Sequence, residues 1–272
     1  MRRIAVLNQK GGVGKTTTTV NVAAALARKN LRVLAVDLDP QAHLSIHLGW
    51  QAEQADSGAY GVLTGSAELG SVVRLVRPNL WLLPAGIDLV GAETELVNEV
   101  GRETVLSRAI ESINEQFDYL FVDCPPSLGL LSLNALAAVS EVIIPIQPHF
   151  LALQGLSRLL GTIAVVNGRI NPGLRVSFIL MCMFDSRISL AGEVKADIEK
   201  FLQSCRNQNC PWAGARLAPV QIRGNIKLAE APSYGKTIFE YEPSCNGACD
   251  YQALAEYLHT GAATDSPGCQ GE

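Results

Sequence analysis

Apolar positions fall in short runs separated by longer stretches in which they recur every three or four residues. The runs Arg3–Leu7, Val33–Asp37, Leu80–Leu83, Tyr119–Asp123, Glu141–Ile146 and Val176–Met181 are rich in Val, Ile and Leu. They do not alternate with polar residues, which is the pattern of strands buried on both faces. A weaker run lies near Leu217–Ile222. Between them the period lengthens to that of helices: Thr16–Lys29, Glu93–Val100, Glu103–Gln116, Leu130–Ala138, Leu153–Asn167, Leu190–Leu202 and Ala248–Leu258. Strand and helix in alternation predict an α/β chain built on a single doubly wound, mostly parallel sheet flanked by helices. The stretch from about Gln51 to Gly70 carries no clear period. The end, Gly261–Glu272, is rich in Gly, Pro, Ser and Thr and reads as a disordered tail behind one domain over residues 1–260.

Composition narrows the picture further. A chain of 272 residues with 48% hydrophobic and 18% charged residues has material for a large core. The formal net charge of -4 excludes a binder that is basic overall and leaves room for a local basic patch. No run of 18 apolar residues exists, so no membrane span is expected. Met1–Leu7 enters a strand at once, so neither a signal peptide nor an N-terminal DNA-binding domain is expected. Seven cysteines fit a reducing compartment, with Cys124, Cys182 and Cys205 in or near core elements acting as small hydrophobes. Cys205 and Cys210 have four residues between them, and Cys245 and Cys249 three. Neither is the two-residue gap of common zinc knuckles.

The candidate chemistry begins where the first strand ends. Asn8-Gln9-Lys10-Gly11-Gly12-Val13-Gly14-Lys15-Thr16-Thr17 precedes a helix. Gly11, Gly12 and Gly14 let the backbone, with Val13 between them, turn tightly and aim N–H groups at phosphate oxygens. The helix start adds the positive end of its dipole. In such a P-loop Lys15 reaches the β- and γ-phosphates, the Thr16 hydroxyl binds Mg²⁺, and Thr17 contacts the α-phosphate. The standard pattern wants glycine at position 9, where this chain has Gln, and a second lysine, Lys10, opens the loop. Lys10 lies too far back to share the role of Lys15. Two further strand ends are acidic: Val36-Asp37-Leu38-Asp39-Pro40-Gln41 and Phe121-Val122-Asp123-Cys124-Pro125-Pro126-Ser127. Open α/β sheets bind ligands at the carboxyl ends of their strands. Asp123 is therefore expected to hold Mg²⁺ through water, and Asp37 or Asp39 to order Mg²⁺ and the attacking water. One aspartate at a strand end is commonly a helix cap; three motifs in this order make an ATP site.

These three motifs together resemble the ParA/Soj partition ATPases, within the deviant-Walker P-loop group that includes MinD. The resemblance continues through Ser127–Leu136, Pro145-Ile146-Gln147, Ala152–Leu156, Met183–Arg187 and Asn225–Lys236, and so covers about residues 1–260. It implies a slow Mg²⁺-dependent ATPase in which two subunits close face to face over two ATP molecules. Lys10 would cross to the other subunit's phosphates, Asp39 would position the water, and Asp123 would sense the γ-phosphate. Met183 would join the nucleotide contacts. The ATP dimer would bind double-stranded DNA without sequence preference, using Arg187 and Lys227, and a ParB-like partner would stimulate hydrolysis and release it. Arg223 is out of register with the family's arginine, whose place Gly224 takes. By this likeness the protein is cytoplasmic and associated with the nucleoid. Taken alone, Arg187 and Lys227 read as solvated surface charges.

Three other readings compete. A MinD-like membrane switch needs a basic amphipathic helix at its end, and Ala253–His259 carries no Lys or Arg. An iron-protein-like reductase needs cysteines at its switch loops, and only Cys124 is so placed. A relative that positions a protein cargo on the nucleoid shares the same fold and chemistry, and would be separated from DNA partition by the flanking genes.

Overall fold

Arg2–Val6 forms strand β1, and among the described residues eight more strands follow: β2 Val33–Asp37, β3 Arg74–Arg77, β4 Leu80–Leu83, β5 Tyr119–Asp123, β6 Glu141–Ile146, β7 Arg175–Phe184, β8 Arg216–Leu217 and β9 Ile222–Arg223. This is a computed structural model describing residues 1–50 and 58–261. The start of the aperiodic stretch, 51–57, and the tail beyond residue 261 lie outside the described residues. The strand order is β3-β4-β2-β5-β1-β6-β7-β8, with β9 beside β7. Every pairing is parallel except β3 with β4, so the sheet is mostly parallel, as the patterning predicts.

Successive residues of the central strands point to opposite faces, and both faces are covered. Ala5, Leu34, Val36, Leu120 and Val122 belong to one core, and Ile4, Val6, Val33, Ala35 and Phe121 to the other. The first core is closed by helices including Leu130–Ala138, Ala152–Arg169 and Ser189–Cys205; the second by Lys15–Ala27 and Asn246–Thr260. Helix Lys15–Ala27 has no polar stripe because it is sandwiched: from Thr18 to Ala27 every residue is buried.

Strands β2, β4, β5 and β6 take the predicted bounds, and β7 runs longer at both ends. Strand β3 is a strand that the pattern does not reveal. It is an edge strand whose Leu75 faces solvent, and its two arginines break the apolar run. The two-residue link Pro78-Asn79 to β4, with Asn79 at φ 60°, is the turn signal that marks the hairpin. The weak run near Leu217–Ile222 resolves into two two-residue strands on β7. The late part of the aperiodic stretch forms helices Gly58–Thr64 and Leu69–Val72, too short to show a period.

Candidate functional site

After β1 the chain crosses the sheet top as a pinned loop. Asn8 donates from Nδ2 to the Pro145 carbonyl at 2.7 Å and accepts the Lys10 N–H at 3.0 Å. Gly12 and Gly14 have φ of 72° and 92°, a region that side chains rarely adopt. Val13 is buried and anchors the turn. The helix that follows starts with neither a capping side chain nor a carboxylate in its first turn. Its leading N–H groups and dipole therefore face outward for an anion. Lys15 is buried, and its ammonium donates to the Lys10 carbonyl at 3.3 Å. Burial lowers its pKa, opposed by the negative charge of Asp123 and Asp39. A buried cation held only by a loop carbonyl suits a site that takes phosphate. Lys10, by contrast, points out, and its ammonium makes no hydrogen bond or ion pair with any described residue.

Strand register brings the acids alongside. Val6 pairs with Asp123, and Asp123 with Asp37, so the ends of β1, β5 and β2 form one row. Asp123 accepts the Thr16 hydroxyl at 2.6 Å and is buried. Burial, then the nearby Asp37 charge, push its pKa up to about 8, against the Thr16 hydrogen bond and Lys15. Asp37 is fully buried and turned inward. It accepts the Ser45 hydroxyl at 2.7 Å, the Ser45 N–H at 2.9 Å and the Asp39 N–H at 3.1 Å. Burial raises its pKa to about 6. Asp39, two residues on and also buried, accepts the Gln41 N–H at 3.0 Å. Among the described residues no three His, Cys, Asp or Glu side chains converge to hold a metal by themselves. Mg²⁺ is ordinarily held by one or two protein oxygens together with phosphate oxygens and water, and the Thr16–Asp123 pair fits that donor set.

Beside the loop lies a cavity of about 120 Å³ walled by Gly14, Thr17, Met183, Ile222, Asn225 and Leu228. Met183, next to the last residue of β7 and at φ 52°, lines this cavity. Ile222 and Leu228 join it only through folding: one lies on a two-residue strand and the other on a five-residue helix. Arg223 is bound by three of its N–H groups to the buried Asp250 at 2.6–3.1 Å, which ties the cavity wall to helix Asn246–Thr260.

Arg187 is 88% exposed, and its guanidinium grips Asp185 at 2.9 and 2.7 Å. The arginine in turn holds the Asp185 carboxyl down at about 2. The Lys227 ammonium bonds Glu230 at 2.9 Å on the helix Ile226–Glu230. Both predicted cations reach the surface, each beside a carboxylate of its own segment. Cys124, Cys182 and Cys205 are buried, and burial pushes the Cys124 thiol up.

Among known proteins, a family model described as an AAA domain matches residues 1–176. The sporulation initiation inhibitor protein Soj of Bacillus subtilis is 41% identical over 254 residues, 93% of this chain and 96% of that protein. The chromosome-partitioning ATPase Soj of Thermus thermophilus is 44% identical over 258 residues, 94% of each chain. A solved structure of cobyrinic acid a,c-diamide synthase from Mycobacterium smegmatis with bound ADP and magnesium is 35% identical, with a TM-score of 0.79 and 98% of both chains covered.

Proposed function

The chain belongs to the ParA/Soj family of partition ATPases, and on that premise we propose that it is a slow, Mg²⁺-dependent ATP switch that closes as a dimer and holds DNA in its ATP form. The observation that carries this reading is the single row of strand ends. It sets the buried Lys15, the Thr16–Asp123 pair and the Asp37–Asp39 turn around one outward-facing helix start.

In this reading the backbone of Gly11, Gly12, Val13 and Gly14 wraps the phosphates and Lys15 neutralises them, while Thr17 meets the α-phosphate. Thr16, with Asp123 through water, would hold Mg²⁺, which would supply positive charge to the phosphate oxygens. Asp37 serves the metal at one remove: its hydrogen bonds to Ser45 and Asp39 fix the turn from which Asp39 orients the attacking water. The base lies in the cavity beside Met183. Lys10, with no partner in its own subunit among the described residues, reaches the phosphates held by a second copy. Arg187 and Lys227 meet DNA phosphates, and a ParB-like partner stimulates turnover. Cytoplasmic placement on the nucleoid follows from DNA binding; no described helix is long and apolar enough to cross a membrane.

The test is Asp39→Ala. Water positioning acts in the transition state, whereas binding rests on the loop. Turnover should fall about a hundredfold or more, ATP should still bind, and size-exclusion chromatography with ATP should show an accumulated dimer. A variant that stays monomeric with ATP would contradict the face-to-face dimer.

A further inference from the structure

Between β6 and helix Ala152–Arg169 the chain turns through Gln147, Pro148, His149, Phe150 and Leu151. The turn leaves the carboxyl end of β6, which runs parallel to β1, and so stands beside the phosphate loop. Asn8 ties the two together: it donates to the Pro145 carbonyl at 2.7 Å and accepts the Lys10 N–H at 3.0 Å. At the tip of the turn Phe150 and Leu151 are 86% and 56% exposed.

His149 fastens this turn to the helix. Its carbonyl accepts the Ala152 N–H at 2.9 Å, and its ring Nδ1 accepts the Leu151 N–H at 3.2 Å. Leu151, just ahead of the helix, supplies no side-chain cap, and the first helical turn contains no acid. A ring nitrogen accepts only while it carries no proton; imidazolium has hydrogen on both nitrogens and can only donate. Protonation therefore breaks the Leu151 bond and sets a positive charge against the positive end of the helix dipole. It also sets that charge against Lys10, which acts on His149 from the loop after β1.

Neighbouring elements do not offset the new charge. Helix Ala152–Arg169 has no acid and no base before Arg158, and residues 124–140, which include helix Leu130–Ala138, contain no Asp, Glu, Lys, Arg or His. The loop at the end of β7 brings Asp185 and Arg187, which are bonded to each other. Burial, then the Lys10 charge, lower the pKa of His149, so the ring stays neutral through the ordinary histidine range.

We propose that His149 is a proton-operated latch at the edge of the nucleotide site: neutral, it holds the Phe150–Leu151 turn on its helix and leaves Lys10 free to reach a second copy; protonated, it releases the turn, repels Lys10 and weakens the ATP-dependent dimer. The latch stands on the His149 bond and the charges around it; its effect on association rests on the dimer reading.

The test compares the full chain with His149→Asn at about pH 7.5 and about pH 5, on either side of the histidine range. Asparagine accepts the N–H two residues on through its side-chain oxygen and does not titrate. Hydrogen exchange at the Leu151 amide, corrected for the pH dependence of exchange in free peptides, reads the latch. Protection in the wild type should fall about fivefold at the lower pH, the size of a lost cap, and should hold in His149→Asn. Analytical ultracentrifugation with ATP reads association. His149→Asn keeps every other titrating group, and ATP itself, unchanged. The dimer dissociation constant should therefore rise about fivefold more in the wild type than in the variant over the same pH step. Equal Leu151 protection at the two pH values in the wild type, or an equal fall in His149→Asn, overturns the latch. Parallel dimer profiles in the two proteins, with the Leu151 amide released, overturn its effect on association. A wild type that stays monomeric with ATP at both pH values refutes the dimer reading, and the exchange measurement still decides the latch.

Discussion

Lys15 spends its charge inside the protein, where one loop carbonyl is its hydrogen-bond partner. Lys15→Ala therefore removes a cation already desolvated and aimed. Nucleotide affinity should drop by roughly 3 kcal/mol, about a hundredfold, in calorimetric titration with ATP; unchanged affinity would refute the phosphate site. The acids across from it behave in the opposite sense. Burial raises Asp123 to about 8 and Asp37 to about 6. An acid whose folded pKa is raised favours the folded state at low pH, and that contribution disappears as pH climbs through the folded value. Burial lowers His47 to about 4, so its contribution is lost as pH falls below the ordinary histidine range. Of these three groups only Asp123 still contributes a slope between about pH 6.5 and pH 8.5. The melting temperature of the nucleotide- and metal-free protein should decline across that window. Asp123→Asn should flatten the decline, and a wild-type profile that rises there would contradict the assigned burial.

At the scale of elements, the helices that carry the site are held by buried polar nodes. Asn134, fully buried in helix Leu130–Ala138, donates to the Arg102 carbonyl at 2.8 Å and accepts the Leu106 N–H at 3.2 Å. These bonds lock the helix after the Asp123 loop onto the start of helix Val105–Glu111. Asn134→Ala leaves the buried Leu106 N–H and the half-buried Arg102 carbonyl without this partner, so a loss of about 2 kcal/mol is expected in chemical denaturation. Asn134→Asp keeps the acceptor for Leu106 but sets a carboxylate against the Arg102 carbonyl, and should not recover that loss. A change below about 0.5 kcal/mol in Asn134→Ala would mean that water replaces the side chain.

For the whole molecule the proposed hold on DNA has to work against a net charge of -4. A dimer doubles every local patch, so binding should appear only with ATP. Arg187→Glu together with Lys227→Glu should weaken binding to random-sequence duplexes while leaving ATP dimerisation intact. The slope of affinity against salt should also flatten, because fewer counterions are released. The structure adds a converse variant. Asp185 and Glu230 already occupy these cations, so Asp185→Asn should strengthen binding several-fold at low salt. Anisotropy titrations at several salt concentrations read both; a wild type that binds no DNA with ATP even at low salt removes the nucleoid from the proposal.

The phosphate loop, the two acidic strand ends and the strands between them were legible in the sequence because each is local. Glycines at 11, 12 and 14 before Lys15, and aspartates that end apolar runs, announce their geometry within a few residues. The same holds for β2, β4, β5 and β6, whose doubly buried faces require uninterrupted apolar runs. What remained hidden depends on residues far apart in the chain. Strand β3 pairs along the edge of β4, and Arg74 and Arg77 leave only the two-residue apolar run Leu75-Val76 to announce it. The inward turn of Asp37 rests on Ser45, and the cavity wall at Ile222 and Leu228 on the pairing of β9 with β7. The occupation of Arg187 by Asp185 is a matter of side-chain rotamers at two positions that the sequence shows only as neighbours. Sequence determined which residues can meet a phosphate, since that needs particular side chains on a local backbone path. Only the tertiary structure decided which carboxylate stands against the loop, as Asp123 does through Thr16, and which is consumed inside, as Asp37 is by Ser45, since that depends on burial and on partners brought by other strands.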